Sequence, residues 1–145
     1  MSIWTYKGKV VDELPDDCEA FVYLITNTTN NRKYVGKKLA KFKVTRPPLK
    51  GKKRKRRSIV ESDWKKYYGS NAELQDLVEQ SGPDNFNREI LKLCKTKGEC
   101  SYYEMKYQFM FDVLLKPDEY YNSFIGGKIH RKHILGLQSD ENMIE

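Results

Sequence analysis

Tyr23 and Tyr34 stand eleven residues apart, and the second opens the triplet Tyr34-Val35-Gly36. Further on, Glu104 is the single acid between Cys100 and Phe111, in a stretch crowded with aromatic rings, and Tyr121-Asn122 follows it. Between the tyrosines and this glutamate, residues 32 to 57 carry 14 Lys or Arg and no acid. Together these groups suit work on a polyanion. Hydroxyls hydrogen-bond a water or an ester oxygen, a carboxylate holds a hard cation, and Lys or Arg at a phosphate releases condensed counterions. Taken singly, each has a plainer explanation. A tyrosine pair is ordinary in a sheet, a helix glutamate is commonly solvated, and the run Lys52 to Arg57 is equally well explained as a solvated loop or a localisation-type tag. Their order along one chain is the informative feature.

The chain that must position them has 145 residues and a mass of 17.1 kDa, the size of one domain. With 39% apolar and 12% aromatic residues it is too rich in core-forming side chains for a disordered polymer. Its net charge of +7 conceals an asymmetry: 14 of the 27 basic residues sit in the one segment, and the remainder is acidic, with Asp12, Glu13, Asp16, Asp17 and Glu19 close together. Such a local positive field makes nucleic acid the first candidate partner. No apolar stretch, Phe21 to Ile25 included, approaches the length of a membrane span or a secretory h-region, so no membrane partner and a cytoplasmic location are expected. Cys18, Cys94 and Cys100 are odd in number and form no CxxC pair, which predicts reduced, partly buried thiols.

Periodicity places the candidates on elements. Residues 21 to 27 are β-branched and aromatic, and with residues 32 to 36 they read as a hairpin around Thr28 to Asn31. A turn centred on Thr28-Thr29 would set Tyr23 directly opposite Tyr34. Residues 38 to 60 read as a basic insertion, a hairpin or loop whose arms, Lys41 to Arg46 and Arg54 to Val60, turn at Pro47-Pro48 and Gly51. Glu61 to Trp64 opens a helical turn that stops near Gly69. Ser70 to Glu73 has capping-box spacing ahead of a helix over 71 to 80, which Gly82-Pro83 ends. Phe86 to Cys94 returns to strand patterning as a third strand. From Gly98-Glu99 the longest helix carries the stripe Tyr103, Tyr107, Met110 and Leu114 up to Pro117. The expected fold is α/β (α+β): a small three-stranded antiparallel sheet flanked by helices, in one domain over 1 to 145. Its core runs from about 20 to 124, and a tail from about 128 to 145 is frayed at its end.

This ordered set resembles the GIY-YIG nuclease family. The family pattern Gly-Ile-Tyr, some ten residues, then Tyr-Ile-Gly is written here as Phe21-Val22-Tyr23 and Tyr34-Val35-Gly36. The resemblance continues through Tyr68-Gly69-Ser70, Asn85-Phe86, Glu89-Ile90-Leu91, Glu104 with Tyr107, and Tyr121-Asn122. It therefore covers the chain from Phe21 to Asn122 and is most like phage-encoded members related to homing endonucleases. It implies an endonuclease that cuts double-stranded DNA with the help of Mg²⁺ or Mn²⁺ and leaves 5′-phosphate and 3′-hydroxyl ends, working in a host cytoplasm if phage-encoded. By the same resemblance Glu104 would hold the metal, and Tyr23 and Tyr34 would orient or deprotonate the attacking water. An ordinary tyrosine pKa of about 10 is high for that task, so a cation such as Lys37 would have to assist. Tyr68 would stand where other members use His or Tyr, and Asn122 would hydrogen-bond within the site.

One position departs from the pattern. The family's arginine, about ten residues after the second tyrosine, falls here on Val44. Arg46 is the substitute chosen over Lys43, because a planar guanidinium grips a phosphate bidentately, with Lys41, Lys65 and Lys66 as further candidates. Lys38, Lys41, Lys43, Lys52, Lys53, Arg54, Lys55, Arg56 and Arg57 are the expected DNA contacts. With no second DNA-reading domain in the sequence, a target would be read by the insertion, by a homodimer on the DNA, or by a partner protein.

A basic binding module that has lost catalysis is the main alternative, and it would be indifferent to loss of Glu104. A protein-interaction adaptor ranks below it. Pro83-Asp84 with Glu104-Met105-Lys106 mimics a PD-(D/E)xK site, but on a helix Glu104 and Lys106 diverge by about 200°. His130 and His133 lack the strand-helix context of an HNH nuclease and read as a basic tail near phosphate.

Overall fold

The computed structural model describes residues 2–137. Its central strand is β3 (Ala20–Asn27), whose unbroken apolar run reflects burial on both faces rather than alternation. β4 (Arg32–Leu39) and β7 (Phe86–Cys94) flank it, both antiparallel, so the three expected strands form one continuous sheet. The sheet is nonetheless larger and mixed. A hairpin of β1 (Trp4–Tyr6) and β2 (Lys9–Val11) extends it to the order β2-β1-β7-β3-β4, with β1 parallel to β7. The hairpin turns on Lys7 and Gly8, both at positive φ (51° and 81°), as tight two-residue hairpin turns require. A three-stranded antiparallel sheet is thus corrected to a five-stranded mixed one. The extra parallel pairing joins Trp4 to Arg88, a partner that no local pattern announces.

The hairpin register also differs from the expected one. Tyr23 faces Gly36 and Tyr34 faces Ile25, so the two tyrosines are diagonal neighbours on one face and not direct partners. The loop is four residues, 28 to 31, because Asn27 Oδ1 accepts from both the main-chain N–H and the hydroxyl of Thr29 (3.0 and 2.7 Å), and Asn31 takes φ 60°. A shift of two residues preserves side-chain facing, and the rings still meet, 6.2 Å between centroids.

Two apolar layers cover the sheet. Phe21, Tyr23 and Ile25 pack with Trp4, Trp64 and Leu74 of α1 (Ala72–Ser81) on one face. Ala20 and Val22 pack with Val35, Cys94, Cys100 and Tyr103 of α2 (Lys97–Met110) on the other. Complete burial of each such aliphatic or aromatic side chain contributes about 1.5–3 kcal/mol. All three cysteines lie in this interior as free thiols.

Helix boundaries shift for identifiable reasons. Asn71 caps α1 by accepting from Leu74 N–H (3.0 Å), while the expected cap Ser70 hydrogen-bonds the Tyr34 hydroxyl. Thr96 caps α2 through Glu99 N–H (3.1 Å). That helix ends at Met110 and not at Pro117, since Asp112 enters the left-handed region (φ 54°) and the chain turns to bury Val113, leaving Leu114 exposed.

The basic insertion is a separate two-stranded ribbon of β5 (Lys41–Arg46) and β6 (Arg56–Glu61), with Pro47-Pro48 and Gly51 in its connecting loop. Among the described residues no helix is long and apolar enough to cross a membrane.

Candidate active site

The candidate residues gather at β4, an edge strand of the five-stranded sheet. An edge strand presents unpaired N–H and C=O groups that need partners. Here residues 119 to 122 supply them: Lys33 N–H donates to Glu119 O (2.8 Å) and Tyr121 N–H donates to Lys33 O (2.7 Å). One step on, the Asn122 side chain takes over as a stand-in peptide group, accepting from Val35 N–H (3.0 Å) and donating to Val35 O (2.8 Å). Gln108 adds a second donor to the same carbonyl at 3.1 Å. Asn122 is buried and its polar atoms are spent on Val35, so it fixes the edge strand beneath the site.

The site wraps around that edge. Tyr34 and Gly36 face the α1 layer, whereas Lys37 faces α2 and hydrogen-bonds Ser101 (Nζ to Oγ, 2.6 Å). Tyr34, Lys37, Ser70, Glu104 and Asn122 nevertheless line one cavity of about 690 Å³. Gly36 makes the arrangement sterically feasible. A Cβ there would sit 2.7 Å from Tyr23 Cζ and 3.0 Å from Tyr34 Cε2.

Burial dominates the electrostatics. Tyr23 is fully buried, its hydroxyl has no hydrogen-bond partner among the described residues, and burial, reinforced by Tyr67 and Tyr34, holds its pKa well above the usual value. Burial also raises Tyr34, against the opposing hydrogen bond from Ser70 (3.0 Å). Both are therefore neutral hydroxyls at neutral pH, better suited to orienting a water than to deprotonating one. Burial raises the Glu104 carboxyl too, and the Lys37 ammonium and main-chain N–H pull it partly back. Glu104 is thus a half-buried carboxylate that an added cation would favour.

The remaining expected residues are distributed elsewhere. Tyr68 turns away from the cavity: its hydroxyl meets Ser2 N (3.0 Å) and Oγ (2.8 Å), and its ring lies under the Arg88 guanidinium at 4.1 Å. Tyr67 occupies the space beside Tyr23 instead, with ring centroids 5.7 Å apart and Lys38 Nζ 4.2 Å above its ring. Arg46 lies on the ribbon, bonded to Ser58 (2.8 Å), and is not among the residues lining the cavity. Lys41 is drawn to the Asp16 carbonyl and to Glu19 (3.9 Å), Lys65 lies between Glu13 (3.4 Å) and Glu61 (3.7 Å), and Lys38 pairs with Asp63 (2.5 Å). Lys66 lines a neighbouring hollow with Lys38 and Tyr67. Lys43, Lys52, Lys53, Arg54, Lys55, Arg56 and Arg57 are exposed and form no ion pair with a described residue.

Two arginines outside the sequence reading have structural roles here. Arg32 bonds Glu73 (3.0 Å) and lies 4.3 Å over the Tyr121 ring, gripping two residues of the cavity wall. Arg88, buried between Trp4 and Tyr68, donates to the carbonyls of Lys65 and Tyr67 (2.9 Å each) and of Ser2, and so anchors the segment carrying Tyr67. The signal that could have found Arg88 is its place in the strand: alternation sets it on the inward face between Phe86 and Ile90, where a guanidinium must find buried partners. The Glu104-Met105-Lys106 run lies within α2, and Lys106 rests on the Tyr102 and Tyr103 rings, which removes the PD-(D/E)xK reading. His130 and His133 hydrogen-bond each other in a short turn (3.1 Å), and no group of three His, Cys, Asp or Glu that could hold a metal occurs among the described residues.

Glu104 and Glu73 are the carboxylates lining the cavity; Glu73 is paired with Arg32 (3.0 Å), which leaves Glu104 for a cation, with the Tyr34 and Ser70 hydroxyls on the same cavity wall. An all-oxygen set with one carboxylate fits a hard ion that retains waters and shares a substrate phosphate; it does not fit zinc.

A family model described as "Putative endonuclease segE, GIY-YIG domain" matches residues 4–125. The protein named "Putative endonuclease segE" of Enterobacteria phage T4 is 31% identical over 107 residues, covering 74% of this chain and 42% of the phage protein. The match thus spans less than half of that relative's length. No solved structure matches the chain.

Proposed function

Because the chain belongs to the GIY-YIG endonuclease family, in its segE-type branch, we propose that it is a Mg²⁺- or Mn²⁺-dependent endonuclease that hydrolyses phosphodiester bonds of double-stranded DNA, leaving 5′-phosphate and 3′-hydroxyl ends. One observation carries this reading: Tyr34, Lys37 and Glu104, drawn from opposite faces of a sheet, meet in a single cavity at its edge. A purely structural tyrosine pair or a solvated glutamate would not require that convergence.

Each side chain has a task consistent with its surroundings. Glu104 would hold the divalent ion, which when bound supplies Lewis-acid polarisation of a phosphate oxygen and acidifies water. Tyr34, neutral and steadied by Ser70, orients the attacking water at the cavity mouth. Tyr23 packs under Tyr34 and Gly36 and sets the position of that ring. Lys37, exposed beside Glu104, places a cation against the charge that develops on the phosphorus oxygens. Asn122 and Gln108 hold the Val35 peptide rigid between these groups. The ribbon supplies the sequence-independent attraction to the backbone.

The test is a supercoiled-plasmid assay with Mg²⁺, with chelator, and with Glu104→Ala, beside a gel shift of each protein. Nicking or linearisation that needs Mg²⁺ and disappears in Glu104→Ala while binding persists supports the reading. Binding with no cleavage under any of several divalent ions would reduce the protein to a basic binding module.

A further inference from the structure

We propose that duplex DNA leaves the cavity along one face only of the β5–β6 ribbon, the face bearing Phe42, Val44 and Arg46 with Val60, Ser58 and Arg56 opposite them. This rests on the reading of the chain as a DNA-acting nuclease. Directly opposed residues of an antiparallel pair share a face, so the register Phe42↔Val60, Val44↔Ser58 and Arg46↔Arg56 defines this side, and Lys43↔Ile59 and Thr45↔Arg57 define the reverse.

The two faces start from opposite electrostatic surroundings. At the base of the reverse face Lys41 is held by the Asp16 carbonyl and Glu19, and Glu61 and Glu13 flank Lys65. A hollow of about 250 Å³ there is lined by Glu13, Asp16 and Glu61, an acidic collar that repels phosphate. The proposed face starts from Lys38, whose Nζ lies 5.0 Å from the Phe42 ring and 4.2 Å from the Tyr67 ring. Lys38, Tyr67 and Ser70 line a further hollow of about 450 Å³, and Ser70 also lines the catalytic cavity. A strand of DNA therefore has a path from Glu104 past Tyr34 and Tyr67 onto this face on which the other acids are each paired with a cation, Glu73 with Arg32 and Asp63 with Lys38.

At the far end of the ribbon the path meets two positioned guanidinium groups. Arg46 Nε donates to Ser58 Oγ (2.8 Å) and Arg56 Nε donates to Pro47 O (3.2 Å). With each Nε so anchored, the terminal nitrogens remain for a phosphate. Six residues of strand span about 20 Å, which puts this contact about five to six base pairs beyond the ribbon's base.

The experiment measures binding of a fluorescent duplex in the presence of chelator, so that cleavage plays no part, for wild type and two double variants of equal charge change. Arg46→Glu/Arg56→Glu is expected to weaken binding about 30-fold or more near physiological salt and to lower the slope of log K against log salt by about two. Lys43→Glu/Arg57→Glu is expected to cost less than about fivefold and to leave that slope within about one of wild type. Thermal unfolding at an unchanged midpoint confirms that both remain folded. Equal losses from the two variants, or a larger loss from the second, overturn the one-faced path while leaving the nuclease reading intact. Wild type that fails to bind duplex at any salt concentration overturns both.

Discussion

Gly36 lies directly across the strand pair from Tyr23, and the tyrosine ring fills the space that any side chain at position 36 would need. The final glycine of the Tyr34-Val35-Gly36 triplet is therefore a steric partner of the first tyrosine. The ring it admits is fully buried and cannot move toward solvent without opening the core that it shares with Trp4 and Trp64.

Gly36→Ala follows from this relationship. The added methyl group forces Tyr23 or Tyr34 aside, and overpacking of this kind costs about 1–3 kcal/mol. For a chain of this size the unfolding midpoint should drop by about 3–10 °C. Cleavage should fall further than stability alone explains, because Tyr34 lines the cavity and Tyr23 packs against it, so a shift of either ring disturbs the site. Differential scanning fluorimetry and a plasmid assay well below the midpoint separate the two effects.

The raised Glu104 carboxyl makes stability depend on pH and on metal. A carboxyl whose pKa rises on folding holds its proton more tightly in the folded chain. Its stabilising contribution is present at acid pH and is lost as the pH climbs from the ordinary carboxylate range through the raised value. Without divalent ions, Glu104→Gln should remove that component and be at least as stable as wild type at neutral pH. Added Mg²⁺ should raise the midpoint of wild type only. A midpoint for Glu104→Gln that follows wild type at every pH, with and without Mg²⁺, would show that this carboxyl is neither strained nor a metal ligand.

Tyr67 and Tyr68 are adjacent in sequence and divergent in position, so hydroxyl deletions should separate them. Tyr67→Phe removes the hydroxyl beside Tyr23 and Tyr34 and should slow cleavage by about tenfold or more. Tyr68→Phe breaks the contact with Ser2, at a cost of about 0.5–1.5 kcal/mol in stability, and should leave single-turnover cleavage near wild type. The reverse pattern in a single-turnover assay would assign the role to Tyr68 and not to Tyr67.

Much of this arrangement was legible because its determinants are local. The tyrosine hairpin, the ribbon and both helices follow from periodicity, turn residues and caps within a few positions of each element. What could not be read depends on distant partners. β1 pairs in parallel with β7 some eighty residues away, and Trp4 gains its place from Trp64 O, which its indole N–H reaches at 2.9 Å. Alternation sets Arg88 inward with Phe86 and Ile90, but the Trp4 and Tyr68 rings that receive its guanidinium come from distant segments. The divergence of Tyr67 from Tyr68 turns on the same clamp. Ser70 could not reveal that its hydroxyl serves Tyr34, because Asn71 is an equally good cap one residue later.

The stand-in peptide formed by Asn122 also has a temporal consequence. Of the residues that build the cavity, those near 122 leave the ribosome last, and until they arrive the Val35 N–H has no cover at the sheet's edge and its carbonyl has only Gln108. At about 5–20 residues per second, the strand that carries Tyr34 and Lys37 is made seconds before the segment that holds it in register. A nascent chain can thus carry its cationic ribbon without a completed site, and under the proposed function it would gain the capacity to cut only when the closing segment docks.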